Sequence, residues 1–339
     1  MAASWNFVLC PQYVSEIAED AHRGTLGVFF MMFFNIGYLL IYGIAALFSY
    51  RSIAILCLIP SLLFLFLFAW MPETPSNLFI RGKDLEAGIS LQWLRGKNAN
   101  IAEELNKLKT NITITNESST MSFREMFNDY GTRRGLIIVI MLCLNKQFDG
   151  IYIILSYLGI IMLETGNNLS HITASAIVGT LQVGGTILSS YLVDRKGRRF
   201  LLIVSNVTVS VCLAVLGAFF YLKHLEIDVS NIGWLPVISL SVYMVGIAIG
   251  VSPLPFLVIT EVCLPAASKS AFTLGYCILW ILSFVMANFF ITLSDIIGVY
   301  SCFWFLSSAC IVFALFTFLV IPETKGRPIQ DIYRELSRK

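Results

Sequence analysis

The chain has 339 residues, of which 57% are apolar and 13% charged, with a formal net charge of +2 and a mean hydropathy of +0.78. A soluble globular domain carries about twice that charged fraction, so the composition excludes one and points to a protein that crosses a membrane many times. The small net charge, with no basic patch interleaved with aromatic residues, argues against a nucleic-acid partner.

The opening MAASWNFVLC is apolar but too short to span a bilayer. It lacks the basic start and small-residue cleavage site of a signal peptide, and reads as the end of a helix whose beginning lies upstream. Runs of about 20 apolar residues then predict eight spans, at 25–48, 52–71, 135–162, 172–193, 200–222, 233–258, 271–294 and 299–321. Lys and Arg concentrate in 72–134, 194–199 and 323–339, while Arg51 and Lys223 fall in loops of the opposite side. The positive-inside rule therefore places the long loop and the C-terminus in the cytoplasm of a multi-pass cell-membrane protein. Within 72–134, LEAGISLQWLRG and IAEELNKLK have helical periodicity, and Leu85, Ile89, Trp93 and Leu94 form an apolar face. Four Asn-x-Ser/Thr sequons occur, of which only Asn168, in a short outer loop, is placed for glycosylation. Cysteines such as Cys57, Cys143, Cys212 and Cys310 lie in apolar runs without metal-ligand spacing and read as small buried hydrophobes. His22, His171 and His224 are scattered, and no nucleophilic or metal constellation appears, so neither an enzyme nor a metal site is expected.

The chain also repeats itself. YVSEIAEDAHRG (13–24) is followed by two spans and PETPSNL (72–78); LVITEVCLPAASK (257–269) is followed by two spans and PETKGRP (322–328). Parallel repeats of this kind build many secondary transporters. Four spans precede Glu261 in the second copy, with the charged loop DRKGRR (194–199) between two of them, whereas one partial span precedes Glu16 in the first. By the logic of the repeat, three helices and most of a fourth are missing before Met1. Inside the spans, LNKQFDGIYIILSY (144–157) carries Lys146 and Asp149. Charges are costly in lipid and mark functional sites, and an i,i+3 pair shares a helix face on which opposite charges neutralise each other. Pro253 and Pro255 interrupt the helical bond ladder beside Phe256, which suits a flexible helix.

With SEIAEDAHRG, PETPSNL, VDRKGRR and PETKGRP in this order, the sequence resembles a sugar porter of the major facilitator superfamily, and within it the insect facilitated trehalose and glucose transporters. GTLQVGGTILSSYLVDRKGRRFLLIVSN (179–206) is especially similar to the latter, and the resemblance covers essentially the whole chain. It implies an all-α membrane protein with the major facilitator fold of twelve helices, from which the first three and most of the fourth are absent, leaving about eight complete transmembrane helices. Residues 1–71 would be the remainder of the N-terminal bundle, 72–134 a cytoplasmic loop whose short helices latch the two halves, 135–321 the C-terminal six-helix bundle, and 322–339 a cytoplasmic tail.

The resemblance also implies roles. Glu16, Arg23, Asp194, Arg195, Arg198, Arg199, Glu261 and Glu323 fall at cytoplasmic helix ends, where opposite charges can pair and separate as an inner gate. Ser268 stands where similar proteins have an arginine, with Lys269 beside it. For the sugar pocket the resemblance implies Gln147, Gln182, Phe256 and Trp280, with Lys146, Asp149 and Tyr152 replacing the family's glutamine, serine and asparagine; Met31 and Leu279 replace two further amides. Interhelical hydrogen bonds or ordinary packing also account for the glutamines and for Phe256. For Lys146 and Asp149 three readings stand: a structural ion pair, an altered specificity, or proton coupling. The expected function is transport of trehalose or a hexose by alternating access, facilitative and without a cofactor. The alternatives are a non-transporting sugar sensor, an inactive truncated form, or a proton-coupled symporter. The expected partners are a small-molecule sugar and the lipid bilayer, with an oligomer if the short chain is the native form.

Overall fold

The computed structural model describes residues 9–10, 13–14, 16–18, 23–96, 101, 104–106, 127–155, 158, 171–227, 229, 232–263, 265–325, 327 and 329–337. The helices that organise them are α1 (Arg23–Leu47), α2 (Tyr50–Phe68), α3 (Pro75–Ile80), α4 (Asp84–Arg95), α5 (Tyr130–Phe148), α6 (His171–Lys196), α7 (Arg198–His224), α8 (Leu235–Ile249), α9 (Leu254–Val262), α10 (Pro265–Ile297), α11 (Val299–Val320) and α12 (Ile329–Ser337). Hydrocarbon offers no hydrogen bonds, so an apolar run satisfies its backbone by closing its own i→i−4 ladder. Among the described residues, seven helical stretches are long and apolar enough to cross a membrane: Tyr50–Phe68, Tyr130–Leu155, Ala176–Val193, Arg198–His224, Leu235–Ile259, Ser270–Phe290 and Val299–Val320. They fall on seven of the eight expected spans. The eighth falls on α1, a 25-residue helix in which Met31–Ile41 is the shorter apolar stretch.

The chain divides into two compact units, Met1–Phe30 with Leu47–Met121, and Met31–Ala46 with Ser122–Lys339. In the first unit, α2 buries none of its side chains, as a lipid-facing surface requires. After it, Thr74 caps α3 by accepting from Asn77 N at 3.4 Å, and α4 returns against α3 through Ala87, packed on Leu78 and Phe79. Ser90 adds a hydrogen bond to the Glu73 carbonyl at 2.6 Å. The packed side of α4 is thus Ala87, Ser90 and Leu91, while Leu85, Ile89 and Trp93 of the expected apolar face are 87%, 68% and 59% exposed.

The second unit is held by small residues that let its helices approach closely, as membrane helices do. Ser205 of α7 donates to the Gly246 carbonyl of α8 at 2.6 Å and accepts from Val251 N at 3.0 Å. Ser210 and Ser307 exchange hydroxyl-to-carbonyl bonds between α7 and α11, at 2.9 and 2.8 Å. The core around them is Tyr243, Phe219, Phe303, Leu213, Leu240 and Met244, all buried. The expected interruption near Pro253 is present: α8 ends at Ile249 and α9 begins at Leu254, with Pro253 as its N-cap.

Candidate functional site

The charged pair of α5 lies at a second interruption. The helix ends at Phe148, Asp149 is its C-cap, and Gly150 has φ +83°, a left-handed conformation that costs an L side chain about 1–2 kcal/mol. A Cβ at Gly150 would also stand 3.0 Å from Leu306 Cδ1. From Ile151 the helix resumes, to Leu155. A break of this kind frees backbone donors and acceptors on both sides, and free polar groups are costly where no water reaches them.

Groups freed on both sides of this break have partners of matched sign. Asp149 Oδ1 accepts from Ile151 N at 2.8 Å and so caps the resumed helix. Tyr243 Oη of α8 donates to the Asp149 carbonyl at 2.8 Å. Lys146 lies in the last turn of α5, where a cation complements the negative end of the helix dipole. Its Nζ is 3.4 Å from Asp149 Oδ2 and 5.8 Å from the Tyr152 ring centroid. Lys146 is 5% exposed and Asp149 fully buried. Of the three readings of the pair, this geometry supplies a physical job for the structural one, because both carboxylate oxygens are engaged locally, by Lys146 and by Ile151 N.

Uncommitted hydrogen-bonding capacity lies beside the pair. Gln147 is buried, and neither of its amide atoms has a hydrogen-bond partner among the described residues; the same holds for Asn145, which the sequence reading did not single out. Gln182 donates its Nε2 to Asn35 Oδ1 at 3.0 Å and leaves Oε1 without a partner. Of the expected aromatic residues, Tyr152 and Trp280 come together with centroids 6.5 Å apart, while Phe256 stacks on Tyr276 at 5.6 Å. Met31 and Leu279 are buried.

The second constellation joins the ends of four helices. Arg198 Nη2 meets Glu261 Oε1 at 3.3 Å, and Glu261 Oε2 accepts from Thr324 Oγ1 at 2.5 Å. Glu323 turns its carboxylate onto the start of α7, accepting from Arg198 N at 2.9 Å and Arg199 N at 3.2 Å. That is an anion on the positive end of a helix. The N-cap Gly197 has φ +87°, and a Cβ there would lie 2.6 Å from Glu323 Oε2, so only glycine lets the carboxylate approach. Lys325 Nζ donates to the Arg195 carbonyl at 2.9 Å, and Arg199 bonds the Phe318 carbonyl. Burial raises the Glu261 carboxyl above its ordinary 4.5, against the pull of the Thr324 hydroxyl and Arg198. Arg195 packs over the Tyr191 ring at 4.1 Å.

The remaining expected residues are placed more simply. Glu16 is half-buried in the first unit. Arg23 and Asp194 lie in α1 and α6, with side chains outside the described set, as are those of Ser268 and Lys269; Asn168 lies outside the described residues. Thr324, Tyr243, Asn35 and Asn145 are contributors that the sequence patterns do not reveal. A lone asparagine in an apolar run was the one available signal, since polar residues in membrane helices are seldom idle.

With this geometry in view, comparison with known proteins gives a family and a fold. The profile of the sugar (and other) transporter family matches residues 1–336. The facilitated trehalose transporter Tret1 of Drosophila willistoni is 34% identical over 328 residues, 96% of this chain and 38% of the relative. That of Polypedilum vanderplanki is 31% identical over 327 residues, 96% of this chain and 65% of the relative. The chain thus spans between about two fifths and two thirds of the length of these relatives. Among solved structures, the partially occluded inward-open xylose transporter XylE of E. coli superposes with a TM-score of 0.76 at 24% identity, over 95% of this chain and 68% of that one. The proton:xylose symporter XylE bound to 6-bromo-6-deoxy-D-glucose gives 0.76 at 24% identity, over 97% and 70%. At that identity the likeness is one of fold, the major facilitator fold.

Proposed function

The chain belongs to the sugar (and other) transporter family, and from that membership we propose that it carries a sugar, trehalose or a hexose, across a cell membrane by alternating access, downhill and without a cofactor. The observation that carries the reading is the presence, in one unit, of buried amides with unspent hydrogen-bonding atoms, Gln147 and Gln182, and of the ring pair Tyr152–Trp280. A sugar satisfies amides with its hydroxyls and lays its apolar face on rings. Both relatives are facilitated trehalose transporters, which supports the facilitative form.

In this reading Gln147, Gln182, Tyr152 and Trp280 touch the sugar, with Phe256 held beside them by its stack on Tyr276. Lys146 and Asp149 maintain the break that presents Gln147. The Arg198–Glu261–Thr324–Glu323 cluster, with Arg195 and Arg199 adjoining it, is the cytoplasmic gate of the C-terminal bundle (135–321). Asp194 belongs to the same gate, and Glu16 and Arg23 are the gate residues of the N-terminal half, at the matching place in the repeat. Residues 1–71 are the N-terminal bundle's share of the chain, and 72–134 a cytoplasmic loop with short helices. The tail 322–339 is cytoplasmic.

Uptake of labelled trehalose and glucose into proteoliposomes containing the full chain tests the proposal. Saturable uptake that stops at equilibrium, and that is insensitive to acid on either side, is expected. Accumulation above equilibrium driven by external acid would replace facilitation with proton coupling, and binding without uptake would replace transport with sensing.

A further inference from the structure

A second polar group in the membrane interior involves a residue to which no role has been given. Asn35 lies in α1, and Gln182 and Thr186 lie one turn apart in α6; all three side chains are buried. The Thr186 hydroxyl donates to the Gln182 backbone carbonyl at 2.9 Å, the back-bond that a threonine makes in a helix. Its single proton is then used, so Thr186 Oγ1 can only accept from Asn35, 2.7 Å away. The Asn35 atom facing Thr186 is therefore the amide nitrogen, and the atom facing Gln182 is the carbonyl oxygen. That oxygen requires a donor, so Gln182 turns Nε2 toward it, at 3.0 Å. Heavy-atom positions alone leave the two ends of an amide ambiguous. Here each orientation is dictated by the one before it, back to a main-chain carbonyl. The relay ends at Gln182 Oε1, buried and without a hydrogen-bond partner among the described residues.

We infer that Asn35 is a positioning residue that holds the Gln182 amide with its carbonyl oxygen at the unpartnered end, so that this position selects a sugar presenting a hydroxyl donor to it. A glutamine free to flip would offer nitrogen or oxygen with equal ease and would accept a donor or an acceptor. The relay removes that freedom. The inference rests on the reading that Gln182 contacts the sugar, and it adds the polarity of that contact and the residue that sets it.

The test uses the full chain in proteoliposomes and a series of monofluoro hexoses, in which each hydroxyl in turn is replaced by fluorine, which cannot donate. The wild-type protein is expected to discriminate against one member by about tenfold in KM, the worth of a hydrogen bond whose loss leaves a buried carbonyl unpaired. In Asn35→Leu and Thr186→Val that ratio is expected to fall to about threefold or less, while Thr186→Ser, which keeps the back-bonding proton, restores it. A general packing defect would alter turnover of every sugar alike and leave the ratio unchanged. An unchanged ratio, or a wild-type protein without such a position, overturns the inference.

A ligand-free measurement separates this outcome from failure of the transport reading. In protein labelled with 15N-glutamine, the Gln182 side-chain resonance, identified by its loss in Gln182→Leu, is expected to move in Asn35→Leu and Thr186→Val and to stay in Thr186→Ser. A resonance indifferent to Asn35 overturns the positioning claim whether or not any sugar binds. If no form binds sugar, the transport reading fails, and the resonance still decides the claim about Asn35.

Discussion

Two of the ion pairs among the described residues, the buried Lys146–Asp149 at 3.4 Å and the half-buried Arg198–Glu261 at 3.3 Å, are of nearly equal length, and they differ in what they join. The first is closed within one turn, and its partners cap the two halves of a broken helix. The second joins residues 63 apart in sequence, and a third carboxylate, Glu323, reaches the same arginine's backbone from 125 residues away. A pair that closes locally keeps its geometry however the helices around it move, so it repairs the backbone. A pair that ties separate elements opens only if those elements part, so it can report and gate their motion. Sequence separation, more than distance, distinguishes a pair that can only repair the backbone from one that can switch.

Removing one partner of the local pair should have the largest effect. Asp149→Ala leaves Lys146 buried without its counter-ion and Ile151 N without its cap, and is expected to cost about 3–5 kcal/mol, read as lost folded protein in detergent thermal denaturation. Lys146→Met with Asp149→Asn removes both charges, keeps an acceptor for Ile151 N, and should recover most of that loss. Gly150→Ala comes next: the left-handed φ and the Leu306 contact together should cost about 2–3 kcal/mol. If Gly150→Ala were neutral in the same measurement, the break would not be where the comparison puts it.

The long-range pair should behave otherwise. Arg198→Gln and Glu261→Gln are expected to couple by about 0.5–3 kcal/mol in a double-mutant cycle, and to change the rate at which a cysteine probe on the cytoplasmic side is labelled. The Lys146/Asp149 charge-free variant should leave that labelling unchanged. Tyr243→Phe, which removes only the donor to the Asp149 carbonyl, should cost about 1 kcal/mol in stability without altering labelling.

The smallest expected effect is in acid and has opposite signs at two carboxylates. Asp129 caps α5, accepting from Thr132 N at 2.9 Å and from Tyr333 Oη of α12 at 2.8 Å. The Thr132 hydroxyl bond, foremost, with the Thr132 amide and Tyr333, holds the Asp129 carboxyl below its ordinary 3.8. The stability it contributes is therefore present above that ordinary value and lost as pH falls through the lowered one. Glu261 is held above 4.5 by burial, so the folded state takes up its proton first. Its contribution turns more favourable as pH falls through the raised value toward the ordinary one. Asp129→Asn should flatten the acid limb of a stability–pH curve, whereas Glu261→Gln should steepen it.

Much of this arrangement is legible in the sequence because hydropathy is a strong signal over about 20 residues. The spans, the charged helix ends, the break near Pro253 and the pairing potential of Lys146 with Asp149 all follow from patterns within a few turns of chain. The rest depends on partners that lie far away. Nothing near Asn35 announces Gln182, 147 residues on, and nothing near Thr324 announces Glu261. The periodicity of α4 shows an apolar face, yet Leu85, Ile89 and Trp93 stay exposed while Ala87 and Leu91 pack. Small residues let α3 come close, and periodicity weights the large ones. Tyr243 reads as one more aromatic residue in a lipid-facing run; only the break in α5 gives its hydroxyl a purpose.

The most direct test of the transport account is sugar counterflow. Proteoliposomes of the full chain, loaded with unlabelled trehalose and diluted into tracer, report the return of a loaded carrier without any proton gradient. This account expects a transient accumulation of tracer above equilibrium, abolished in Arg198→Gln/Glu261→Gln and retained in Lys146→Met/Asp149→Asn. No overshoot, from protein that binds trehalose in detergent, would contradict it and leave a sugar-binding protein that does not alternate.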